Sequence, residues 1–149
     1  FSMAIRPAVS FYAKQKWQKT AGISLLDMAI LAEPFNAETL YEKGIYEEKT
    51  GKLKEALSCF EKASVYSKYH TLSLLHAARN CAKLNNPSLA KEYYSLALES
   101  NPYRAFTLFE YSGFLIDKTG GYDAAETMLK TALEYEPNYA AARHNLALI

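Results

Sequence analysis

The apolar positions of this chain form a stripe that keeps coming back. Ala56, Phe60 and Ala63 are spaced four and three residues apart, which puts them on one side of a helix. The same order, small then large then Ala, returns at Ala90, Tyr94 and Ala97 and again at Ala125, Leu129 and Ala132. Read backwards it is met at Gly22, Leu26 and Ala29, and the successive steps are 34, 34 and 35 residues. Five residues beyond each Ala stand Pro34, Lys68, Pro102 and Pro137, three prolines in four places where a helix should stop. Upstream, Gly44, Ala78, Ser112 and Ala147 recur at the same period. The one extra residue falls at Thr119-Gly120-Gly121, a turn signal where insertion costs little.

A fixed period of this length predicts pairs of short amphipathic helices. One such pair cannot bury its own apolar stripe, but stacked pairs close on one another into a continuous core. The small residues let the paired axes approach. Gly44, Ala78 and Ser112 are expected to face Ala56, Ala90 and Ala125, with Phe60, Tyr94 and Leu129 filling the space beside them. Ala63, Ala97 and Ala132 are expected against the following unit.

The pattern resembles the tetratricopeptide repeat, a helix-turn-helix unit of about 34 residues. Its signature positions read Leu40, Lys43, Gly44, Glu47, Ala56, Phe60, Ala63 and Lys68 in one copy. The next copy gives Leu74, Ala77, Ala78, Cys81, Ala90, Tyr94, Ala97 and Pro102, and the one after it Leu108, Tyr111, Ser112, Leu115, Ala125, Leu129, Ala132 and Pro137. The family's signature Trp is Leu in every full copy, Lys43 and Glu47 stand where apolar residues are usual, and the first copy, with Arg6 and Pro7, is poor. The resemblance implies an all-α fold, a right-handed superhelical solenoid of eight or nine helices in antiparallel pairs. It forms a single domain over 1–149, with units at 4–36, 37–70, 71–104 and 105–139 and a partial fifth at 140–149. The first helix of the chain is expected to start near Pro7.

In this family the first helices of the pairs line a concave groove. Carried over by register, the resemblance places Tyr41, Ile45, Leu72, Leu75, Arg79, Phe106, Phe109 and Ile116 there as the partner-binding residues. Glu38, Glu48, Lys49, Ala82, Lys83, Gly113 and Asp117 lie around them, and Phe11, Lys14 and His144 flank the groove. So apolar a strip, left open, marks a binding surface suited to an amphipathic helix or an extended apolar peptide. It could equally be covered by a flanking segment or by a second copy of the chain, and the open end of the array invites self-association. The two-carboxylate clamp by which some family members hold acidic chaperone tails is missing. Its five positions, which call for Lys, Asn, Asn, Lys and Arg, carry Tyr41, Ile45, His76, Phe106 and Glu110, or one unit later Leu75, Arg79, Glu110, Ala141 and Asn145, and neither frame supplies the cations.

Composition narrows the rest. With 50% hydrophobic and 22% charged residues the chain has the make-up of a globular domain rather than a disordered one. Twelve Tyr and seven Phe suit half-buried contact surfaces. A formal charge of +1 offers no basic stripe for nucleic acid, which disfavours an RNA-binding helical repeat. No apolar run is long enough for a membrane span and no signal peptide opens the chain. Phe1-Ser2-Met3 reads as an expression-tag scar, so the chain is expected to be a piece of a longer protein. Two cysteines, Cys59 and Cys81, make neither a disulfide framework nor a zinc site and point weakly to a reducing, cytoplasmic compartment. Cys81 reads as buried and Cys59 as close to the surface. Glu47 and Glu48, like Lys52 and Lys54, read as solvated. His70, His76 and His144 share no ligand spacing, and no phosphate loop is present. No catalytic residue, metal or cofactor is expected. The leading expectation is a non-catalytic scaffold that binds a protein or peptide; the alternative is the partner-recruiting region of a larger enzyme or complex.

Overall fold

The structure, a computed structural model, describes residues 19–66, 70–100 and 103–149, the first of these (19–24) as backbone only. The expectations at Arg6, Pro7, Phe11, Lys14, Lys68 and Pro102 lie outside the described residues. Among those described there are eight helices and no strand: α1 (Lys19–Ala32), α2 (Ala37–Lys49), α3 (Leu53–Ala63), α4 (His70–Lys83), α5 (Pro87–Ser100), α6 (Arg104–Thr119), α7 (Tyr122–Tyr135) and α8 (Ala140–Leu148). The closest pairings are α2 with α3, α4 with α5 and α6 with α7, and each pair then packs on the next. The first helices α4 and α6 of successive pairs also approach each other directly. The fold is an all-α, right-handed superhelical solenoid of antiparallel helix pairs.

The repeat is visible in single hydrogen bonds. A residue in the left-handed region ends the first helix of each pair: Gly51 (φ 83°), Asn85 (φ 61°) and Gly120 (φ 64°). The amide just past it returns to a carbonyl in the last turn: Lys52 N to Glu47 O (2.9 Å), Asn86 N to Cys81 O (2.9 Å) and Gly121 N to Leu115 O (3.1 Å). Those bonds satisfy carbonyls that a helix end otherwise leaves open. Glu47, Cys81 and Leu115 are equivalent positions, so the extra residue of the third pair is absorbed between Leu115 and Gly121. The second helix then begins with Ala56 N on Lys52 O, Ala90 N on Asn86 O and Ala125 N on Gly121 O. Thus one small residue both opens the helix and sits in the seam.

Those seam residues are sealed. Ala56, Ala90 and Ala125 are fully buried, as are Ala63, Ala97 and Ala132 to within 1%. Phe60, Tyr94 and Leu129 fill the space beside them at 0%, 3% and 0% exposure. Each such side chain contributes on the order of 1.5–3 kcal/mol by leaving water. The packing partner of Gly44 differs in detail from the expectation. A Cβ placed there would first meet the Phe60 ring, at 2.6 Å, so it is the aromatic rather than Ala56 that needs the glycine.

Three further expectations are corrected. Cys59 is buried, because the approach of α2 and α3 covers it rather than leaving it near the surface. Glu47 is only 4% exposed, its carboxylate 3.6 Å from Lys52 Nζ. Glu48 is half-buried and bonded to His76 (2.9 Å). The two glutamates therefore are not a solvated run. Lys43, at the other unusual position, reaches back to Asp27 of α1 at 2.6 Å and turns a polar intrusion into an ion pair between helices.

Candidate functional site

The face formed by the first helices α2, α4 and α6 changes character along its length. At the α2–α4 end it is closed by side chains that hold each other. His76 stacks on Phe60 (4.8 Å, 16°), bonds Glu48 through Nδ1 (2.9 Å) and shares a hydrogen bond with the Tyr41 hydroxyl through Nε2 (3.3 Å). Tyr41 in turn lies edge-on to Phe60 (5.8 Å). Burial works against ionisation of Glu48, but the hydrogen bond from His76 and the charges of His76, Lys83 and Arg79 outweigh it and hold the carboxyl below its ordinary value. Ile45 packs against the same small cluster of Ala56, Phe60 and Ala77.

At the α4–α6 end the face opens. A hollow of about 280 Å³ lies between the two helices, with Tyr94, Phe109 and Phe114 as its aromatic lining and Arg79, Lys83, Glu110, Asp117 and Lys118 as its polar one. Ala82 and Gly113 supply the small positions. Arg79 Nε donates to Glu110 Oε2 at 2.7 Å, which fixes α4 to α6 across the hollow. Burial, together with the Glu110 charge and against that of Arg79, pushes the Tyr94 phenol up to about 12, so it stays protonated and can donate. A second hollow of about 340 Å³ lies on the other side of α6, between Ile116, Tyr122 and the residues Asn145, Leu148 and Ile149; Gly113 and Asp117 line both. A larger hollow over α5 is lined by Ser88, Lys91, Glu92, Ser95 and Leu96, all from one helix, so no second element converges on it.

Of the eight residues expected in the groove, Arg79 and Phe109 meet in the first hollow and Ile116 lines the second. Tyr41, Ile45, Leu72 and Phe106 are half-buried on the first helices without lining either hollow. Leu75 is a correction. It is fully buried among Leu74, Ala78, Tyr94 and Tyr111, because the approach of α6 to α4 covers a side chain as short as leucine, and it offers no surface to a partner. None of the eight is among the strongly exposed apolar side chains, so the face is half-covered and mixed in charge rather than an open apolar strip. Glu110, Tyr94, Phe114 and Lys118 were not among the expected groove residues. The 31-residue separation of Arg79 and Glu110, nearly one repeat, was a usable signal for that pair.

Among the described residues no group of His, Cys, Asp and Glu could hold a metal ion, and no helix is long and apolar enough to cross a membrane. His70 bonds the Ser64 carbonyl and His144 is exposed. Burial lifts the Cys81 thiol to about 11, helped by Glu61, which suits a packing residue and not a nucleophile.

Residues 37–64 and 72–104 match the family profile described as tetratricopeptide repeat. No curated protein sequence matches the chain. Among solved structures the chain is similar to a crystal structure of MamA, with TM-score 0.76 and 18% identity over 91% of this chain and 78% of that one. It is also similar to a MamA RS-1 double mutant (TM-score 0.77, 15% identity, 99% and 82% covered). A third likeness is to Pseudomonas aeruginosa pilF (TM-score 0.69, 13% identity, 99% and 82% covered). At these identities the likeness speaks for the fold.

Proposed function

We propose that this chain, two stretches of which match the tetratricopeptide repeat profile, is a protein-interaction scaffold that acts without catalysis, holding a peptide or helix of a partner protein against the face formed by α2, α4 and α6. One observation supports this reading above the others. Polar and aromatic side chains of α4, α5 and α6 converge on one hollow at that face, whereas the hollow over α5 is walled by that helix alone. Convergence of an apolar lining with a few placed polar groups is what a binding site needs. Aromatic and Arg side chains such as Phe109 and Arg79 are the types that dominate contact energies.

The test is to select binders from a random dodecapeptide phage library and map them on the isotope-labelled chain by amide chemical shifts. Shifts centred on α4 and α6, around Arg79, Ala82, Phe109 and Gly113, are expected. Shifts centred on α3, α5 and α7, or a library that yields no binder, would contradict the reading. Leu75→Glu is unsuitable as a groove variant, since a charge at a fully buried position unfolds its surroundings.

A further inference from the structure

The first helices carry Ile45, Arg79 and Gly113 at equivalent places, one per repeat, and only the last lacks a side chain. A Cβ built on Gly113 would meet no atom within 4 Å, so the glycine is not demanded by packing. Nor is it a turn residue: it stands in the middle of α6, where glycine weakens a helix relative to alanine. What its bareness does is open space. The hollow between α4 and α6 and the one beyond α6 both have Gly113 as a wall, together with Asp117.

We propose that the hollow opened by Gly113 is the anchor pocket of the groove, taking one large apolar side chain of a partner peptide that carries a carboxylate beside it. This rests on the reading of the α2–α4–α6 face given above and names its specificity. About 280 Å³ is below the range of small-molecule sites and has room for a single bulky side chain. Half-buried Phe109 gives that side chain an aromatic face, with the nearly sealed rings of Tyr94 and Phe114 (3% and 6% exposed) as the floor behind it. The rim selects its neighbour. The lining carries Arg79, Lys83 and Lys118 against Glu110 and Asp117, one positive charge in excess, with Arg79 paired to Glu110 at 2.7 Å and Lys83 also acting on Glu48. Both lysines are exposed and neither has an ion-pair partner within the described residues. An acidic residue next to the anchor meets an excess of positive charge; a basic one does not.

The experiment uses the same dodecapeptide library, with affinities of the selected peptides measured by fluorescence polarisation. Selected sequences are expected to share one Phe, Trp, Tyr, Leu or Met with Asp or Glu within two places. Gly113→Leu, which fills the pocket, is expected to lower their affinity at least tenfold while melting at or above the wild-type temperature. Gly113→Ala serves as the control that leaves most of the space and should lose less. Lys83→Glu with Lys118→Glu is expected to weaken acidic peptides by about 2- to 5-fold, the scale of exposed charge pairs. Peptides that map to α4 and α6 yet bind Gly113→Leu within twofold of wild type would overturn the pocket and leave the groove standing. Peptides that map to the outer helices would overturn both.

Discussion

Two glycines in the middle of two equivalent helices serve opposite ends. Gly44 of α2 lies under the Phe60 ring so closely that a methyl group would sit 2.6 Å from it, and that ring is held from the other side by His76 at 4.8 Å. Gly113 of α6 faces empty space. At the first, a side chain is absent because two helices have to nest; at the second, its absence leaves a hollow. The same residue type thus marks the tight seam of the array at one place and its open wall at another. The difference teaches that burial around a position, rather than the residue itself, decides whether a bare helix position is structural.

The largest effect should come from removing what Gly44 accommodates. Phe60→Ala empties a fully buried aromatic site and is expected to cost about 3–5 kcal/mol in urea unfolding. In that background Gly44→Ala should become neutral or favourable, and a double-mutant cycle reads the coupling. A Gly44→Ala penalty that persists without Phe60 would mean the ring is not the reason for the glycine. Next, Ala90→Leu drives a larger side chain into a 0% exposed seam and should cost about 1–3 kcal/mol. Wild-type stability for that variant would break the closed-seam half of the comparison.

A smaller effect tests the polar lock at the closed end. Glu48 is held below its ordinary value of 4.5, so its contribution is present above that value and lost as pH falls through the depressed one. Wild type should therefore lose stability below about pH 4.5 more steeply than Glu48→Gln does, measured as urea midpoints along an acid series. Parallel curves would show that the Glu48–His76 bond adds nothing to folding.

Much of the fold could be read before any coordinates, because it depends on positions that repeat. Ala56, Ala90 and Ala125 gave the seam, and the insertion at Thr119–Gly121 sits where one helix is capped and the next begins. What could not be read depends on single, non-repeating contacts. Lys43 looked like a fault in an apolar pattern, since its partner Asp27 stands 16 residues back on another helix. Glu48 looked solvated because its bond to His76 spans 28 residues. The groove was legible in outline and mistaken at Leu75. Register gives the direction in which a residue points, but how far α6 closes over α4 depends on side-chain lengths along both helices. Gly113 lay on the expected face, yet its meaning required knowing that nothing fills the space beside it.

The contrast between a filled seam and an open wall is tested most directly by the thermal midpoints of Gly44→Ala and Gly113→Ala, measured side by side. Alanine favours a helix over glycine by about 1 kcal/mol at either site, so only the surroundings can separate the two. Gly113→Ala is expected to melt at or up to about 2–4 °C above wild type, and Gly44→Ala clearly below it, because the clash with a fixed ring exceeds the helical gain. Midpoints that move together, in either direction, would contradict the account.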